Sequence, residues 1–203
     1  MCKVVIVCVF MMCFLSGCSN NELSPRNYIA WVNNERNGLK VDHNVGDYLF
    51  ILQFEPVEYT ALREQYSGKF TKAEFEQNIK ERNDFQYFIL SIANKDGKTD
   101  MLKTGIKSSD EYYSRIQYFS YLMQQDISLI DGVQTFPCEL FQFERDYGVT
   151  PFQKFILGFP KRKNPGQIED KTLVYNDKVL GIKKVEIKIK GSDIKKLPQV
   201  KID

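Results

Sequence analysis

Apolar residues run without a break from Val4 to Leu15, whereas beyond Glu22 they recur at the spacings of helices and strands. Ser24 and Pro25 open a helix, because Ser can cap and Pro suits the first helical position. That helix carries Tyr28, Ile29, Trp31 and Val32 and stops at Asn37-Gly38. From Asp47 to Glu55, Tyr48, Phe50, Leu52 and Phe54 share one face, while Leu49 and Ile51 make the other partly apolar. This predicts a central strand covered on both sides. Helical spacing returns from Val57 to about Tyr66. Thr71 and Glu74 then form a capping box, with Phe70 and Phe75 at hydrophobic-staple spacing, which predicts a helix from Lys72 to about Asn83. Gln86 to Ala93 alternates as a strand, and Asp96-Gly97 predicts a hairpin turn into a returning strand from Met101 to Gly105. Ser108 and Glu111 repeat the capping-box spacing before a helix with Tyr112, Ile116, Phe119 and Met123 on one face. Beyond Asp131-Gly132 strands dominate: Thr135 to Glu144, Phe152 to Phe159, Thr172 to Tyr175 and Val185 to Lys190. Pro137 inside the first suggests an edge or a late start. The last is the cleanest, with Val185, Ile187 and Ile189 inward and Glu186, Lys188 and Lys190 outward. Helical signals before about residue 125 and strand signals after it predict an α+β fold. Helices would pack on a mainly antiparallel sheet with a strand-rich C-terminal half. The alternative is a β-sandwich with inserted helices.

The opening run has a different meaning. It spans 12 residues behind Lys3, the sole charge before Glu22. A bilayer-spanning helix needs about 20, so this length fits the hydrophobic region of a secretory signal peptide. It ends in Leu15-Ser16-Gly17-Cys18, which resembles the bacterial lipobox, in which small residues precede a Cys that becomes lipidated and then N-terminal. The expected organisation is a signal peptide over 1–17, a lipidated Cys18 and short tether over 18–23, and one globular domain over 24–203. Cys18 would carry a diacylglycerol thioether and an amide-linked acyl chain. Each buried acyl CH₂ contributes about 0.8 kcal/mol, and lasting attachment takes more than one chain. Ser19 to Leu23 reaches about 20 Å when extended, so the body is held close to the membrane. Ser19, in place of the Asp that retains some lipoproteins in the inner membrane, favours the outer membrane, with the periplasmic and surface faces both open.

Processing changes the inventory. Of five Cys, Cys2, Cys8 and Cys13 leave with the leader and Cys18 is consumed by lipid, so Cys138 stands without a disulfide partner. The core must then hold the fold, and 43% apolar and 13% aromatic residues supply enough for one. The formal charge of +2 conceals an asymmetry. Residues 18–150 carry 14 basic and 20 acidic groups, and 151–203 carry 13 and 6. Lys161, Arg162 and Lys163, with the series from Lys183 to Lys201, are therefore candidate contacts for phosphate-rich headgroups or lipopolysaccharide, or else solvated faces. Trp31, Tyr112 and Tyr113, with Tyr118 and Tyr121, are candidates for a sugar- or partner-binding surface, or else core packing. Nucleic acid is not an expected partner outside the cytoplasm.

Candidate chemistry is sparse. His43 follows Asp42, but sequence neighbours rarely supply the geometry of a triad, and no Gly-x-Ser-x-Gly elbow occurs; a polar loop histidine is expected. Cys138 lies among Phe136, Leu140, Phe141 and Phe143, which reads as a buried, inert thiol. Phosphate-cradling glycine motifs are absent. A calcium loop from Asp96 would put Lys98, Met101 and Lys107 where an oxygen ligand, Gly and Glu are needed. No catalytic residue, metal ligand or cofactor is assigned. A carboxylate pair for glycoside hydrolysis stays open, since 26 acids are available and their pairing depends on the fold.

Tyr28-Ile29-Ala30-Trp31-Val32, Asn37-Gly38-Leu39, Phe54-Glu55-Pro56-Val57-Glu58-Tyr59 and Leu173-Val174-Tyr175-Asn176-Asp177 resemble uncharacterised lipoproteins of Bacteroidota-type bacteria. The resemblance implies an envelope address and carries over no activity or functional residue. The expected function is a membrane-anchored envelope lipoprotein, a non-catalytic binding or assembly component whose partner is an envelope protein or glycan. The alternative is a carboxylate-dependent envelope hydrolase acting on glycans.

Overall fold

The computed structural model describes residues 21–64, 71–145, 149–163 and 166–202. In chain order the first elements are β1 (Glu22–Leu23), α1 (Pro25–Asn33), β2 (Lys40–Val45), β3 (Tyr48–Glu55), α2 (Val57–Glu64), α3 (Lys72–Arg82), β4 (Phe85–Asn94) and α4 (Ser109–Gln117). There follow β5 (Ile127–Asp131), β6 (Gln134–Pro137), β7 (Leu140–Glu144), β8 (Gln153–Pro160), β9 (Lys171–Asn176), β10 (Lys184–Ile189), α5 (Gly191–Ile194) and β11 (Gln199–Val200). The architecture is α+β, as the patterning predicts, with most strands divided between two antiparallel sheets. One has the order β2-β3-β4-β8-β7 and the other β10-β9-β5-β6.

The two sheets share one core. Phe50, Leu52, Leu90, Ile92, Phe155 and Leu157 from the first are fully buried in the same cluster as Leu129, Leu173 and Ile187 from the second. Phe50 and Tyr175 meet across it with ring centroids 6.5 Å apart. α1 contributes Tyr28 and Val32, α2 contributes Ala61 and Leu62, and α3 contributes Phe75. Every member of this cluster lies between Leu23 and Ile202, so the body carries its own core.

Local signals act as their chemistry requires. The Thr71 hydroxyl accepts from Glu74 N at 3.3 Å while the Thr71 N–H donates to Glu74 Oε2 at 2.6 Å, so the capping box is complete. Phe70, the other half of the expected staple, lies outside the described residues. Ser108 caps α4 through Glu111 N at 3.2 Å, but the Glu111 carboxylate takes the N–H of Lys107 instead of closing a box. After Gln117 the helix widens into a π-helical turn over Tyr118–Leu122, which still seats Phe119 and Met123 in the core. Gly38 ends the 3₁₀ turn after α1 at φ +77°, and the Asp193 carboxylate occupies the space a Cβ would need.

Four expectations are corrected. The returning strand over Met101–Gly105 is absent, because β4 is already paired on both edges, with β3 and with the distant β8. Instead, residues 95–105 form turns: Asp96 accepts from the N–H groups of Lys98 and Thr99, Asn94 holds Thr99 and Thr104, and Met101 and Leu102 enter the core. The long strand over Thr135–Glu144 is two, β6 and β7, which leave Cys138 between them and join different sheets. His43 is not in a loop; it sits in β2 opposite Phe50. Glu22–Leu23, assigned to the tether, is a strand pairing in parallel with Gln199–Val200, so the ordered body begins earlier. Among the described residues, no helix is long and apolar enough to cross a membrane.

Candidate functional site

The five-stranded sheet turns one face to the shared core and exposes part of the other. The ladder registers place Gln53, Ile89 and Ile156 in one row of that outer face, and Ile51, Ser91, Lys154 and Glu144 in the next. The three isoleucines floor a cavity of about 530 Å³. Tyr59 and Arg63 of α2 wall one side, and Thr150 and Phe152, which lead into β8, wall another. Lys40, Glu144 and Lys154 stand among the charged lining. An apolar floor beneath a few convergent polar groups is the usual make-up of a small-molecule site.

Glu55 is the unusual group here. The last residue of β3, it is 3% exposed, and Arg63 Nη1 donates to its Oε1 at 2.7 Å. Its Oε2 is buried without a hydrogen-bond partner. Burial pushes the carboxyl up to about 7, against the opposing pull of Arg63 and Lys154. Around it Gln53 Nε2 and Tyr59 Oη both donate to Asn33 Oδ1 at 3.0 Å, and the Arg63 guanidinium lies 5.9 Å from the Tyr59 ring centroid. Glu144 is a second carboxylate in the cavity, with Lys154 Nζ 3.6 Å away. The cavity thus brings together one buried carboxyl, raised by desolvation, and one half-exposed acidic side chain.

No protein-family model matches this chain, and no curated protein matches it. A solved structure described as a novel protein of unknown function from Burkholderia pseudomallei is similar with a TM-score of 0.41 and 10% identity, covering 87% of this chain and 94% of that one. A likeness of that size transfers neither function nor site residues.

Of the residues singled out from sequence, Lys161, Arg162 and Lys163 are brought together in a second cavity, of about 540 Å³, beside β6. The aromatic candidates are separated by element. Trp31 lies on α1, which packs against α2 and the chain-end strands, while Tyr112 and Tyr113 lie on α4 with ring centroids 5.7 Å apart. Arg145 Nη2 donates to Tyr112 Oη at 3.3 Å, and Tyr113 is two-thirds exposed. Tyr118 is buried in the core, whereas Tyr121 is exposed. Cys138 is buried, its Sγ 3.1 Å from the Leu140 carbonyl, and burial pushes the thiol up to about 12. Cys18 lies outside the described residues. Glu55 escaped the sequence reading even though a carboxylate ending a strand expected to be covered on both faces was a usable signal. Glu144 offered none, because its approach to the cavity depends on a sheet order that no local pattern encodes.

Proposed function

We propose that the protein is a lipid-anchored lipoprotein of the cell envelope, held through Cys18 in the outer membrane, whose body binds a small polar ligand without chemical turnover. The cavity on the open face of the five-stranded sheet carries the binding half of this reading: an Ile51, Ile89 and Ile156 floor offers apolar contact, and charges of both signs on its walls orient a ligand. The lipobox order at Leu15-Ser16-Gly17-Cys18 supports the anchoring half. With β1 already part of the body, three residues connect Cys18 to Glu22, about 14 Å of extended chain, so the anchor would hold the body close to the membrane. Binding is favoured over catalysis by Glu55 itself, whose Oε1 is tied to Arg63 and whose Oε2 is shut away from solvent. Metabolic palmitate labelling with membrane fractionation tests the anchor. The native chain should be labelled and sediment with membranes, and Cys18→Ala should be unlabelled and released; an unlabelled native chain rejects it.

One observation favours the second reading, a glycan hydrolase: Glu55 and Glu144 face the same cavity, with Glu55 able to donate a proton at neutral pH. Incubation with envelope glycans should then release reducing ends, and Glu55→Gln and Glu144→Gln should each abolish that release. No release by the native protein leaves binding as the function.

A further inference from the structure

The cavity beside β6 is lined by Lys161, Arg162 and Lys163 where the chain leaves β8, and by Gln134, Thr135 and Phe136 across from them. Among the described residues its lining holds three cations and no carboxylate. Two of the three cations are held in place, and Lys163 is exposed. Lys161 Nζ donates to Asn83 Oδ1, the C-cap of α3, at 2.7 Å, and partial burial lowers the ammonium's proton affinity. Arg162 Nη2 donates to the Gln167 carbonyl at 2.6 Å, with Nε 3.4 Å from Asp131 Oδ1. Asp131 is 3% exposed, and its other oxygen already takes Lys171 Nζ at 2.7 Å and Gln86 Nε2 at 3.3 Å. One buried carboxylate therefore serves two cations, and positive charge is left over behind the cavity wall. Glu58 and Asp84 act on Lys161 from a distance and Glu169 lies beside Gly132, all three outside the lining.

We propose that this cavity is an anion site that takes a phosphate group. Lys161 and Lys163 are its ammonium donors, Arg162 is a fixed guanidinium, and Thr135 and Gln134 supply neutral hydrogen bonds. Converging cations at a partly desolvated position compensate a doubly charged oxyanion better than a single carboxylate. The site does not depend on the sheet-face cavity, with which it shares no lining residue.

The phosphate has two possible sources, a lipid headgroup or a soluble phosphorylated compound. α3 links the cavity to the tethered end of the chain: its C-cap Asn83 holds Lys161, while Lys72 and Phe75 near its start line a recess with Glu22. An 11-residue helix is about 16 Å long, so the cavity lies roughly one helix length from Glu22, and a headgroup source rests on the lipid-anchored reading proposed above.

The test uses the chain begun at Ser19, which contains the whole core, with pyrophosphate titrated calorimetrically and flotation on phosphatidylcholine vesicles with and without phosphatidylglycerol. The unaltered chain should bind pyrophosphate or the phosphatidylglycerol vesicles. The double variant Lys161→Met, Lys163→Met should lose about tenfold or more in affinity with its thermal midpoint retained. Lys195→Met with Lys196→Met, which removes equal charge from outside the cavity, should bind like the parent. Binding to pyrophosphate assigns a soluble phosphorylated ligand, and binding to the anionic vesicles alone assigns a headgroup. The proposal is overturned by binding to neither probe, by undiminished binding in the first double variant, or by an equal loss in the second.

Discussion

Glu55 concentrates the physical tension of this molecule in one side chain. Burial raises its carboxyl from 4.5 to about 7, although Arg63 sits 2.7 Å away. The folded state therefore keeps the proton through a window in which the unfolded chain has lost it. Stability from this group is greatest below about 4.5 and declines as pH rises towards 7, by an amount of order 3 kcal/mol. Glu55→Gln has no such titration. In urea denaturation at pH 4.5 and 7.5, the variant should gain about 1–3 kcal/mol relative to the native chain on going to the higher pH. An unchanged difference between the two proteins would mean that the carboxyl is not displaced. Asp131 is a second buried acid with more charge around it: its Oδ2 takes both Lys171 and Gln86, and Arg162 Nε lies 3.4 Å from its Oδ1, although that oxygen has no hydrogen-bond partner. Only Glu55 left a signal in the sequence, as a carboxylate ending a strand expected to be covered on both faces; the partners of both acids are supplied by the packing.

At the scale of elements, the signals that depend on neighbouring residues were legible. The capping box at Thr71 and Glu74 forms as written, since both partners lie within one turn. Thr71→Ala should lower stability by about 1 kcal/mol, measurable by chemical denaturation, and Thr71→Ser should restore most of it. Apolar strand patterns likewise located β3, β4, β8, β9 and β10: burial alternates along β10 and most of β3, whereas β4, β8 and β9 each hold a run of consecutive buried residues. Turn chemistry alone misled at Asp96-Gly97. The glycine does adopt φ +63° and the turn does form, but the edge of β4 that a hairpin partner would use belongs to β8. Thr135–Glu144 misled for the opposite reason: one apolar stretch feeds two sheets, and the break after Pro137 lets β6 pair with β5 while β7 pairs with β8. β2 and β5 were missed because β2 has no fully buried residue to mark a core face and β5 is only five residues long.

Across the whole molecule, the two sheets and the helices close on a single core, and the first and last described strands lie side by side. The segment carrying Gln199 and Val200 is thereby fixed next to Glu22 and Leu23, and Lys72 and Phe75 of α3 line a recess with both strands. The sequence alone determined what acts over a few residues: the helix caps, the strand periods and the α+β class that their succession implies. Tertiary structure decided which strands are neighbours, and with that every candidate site. Glu55, Glu144 and Lys154 share a cavity only because β3, β4, β8 and β7 stand in that order, and Lys161 meets Asn83 across 78 residues of chain. The physical reason is that sheet order is selected by the burial of apolar faces shared among distant segments, a global balance that no local pattern of side chains records.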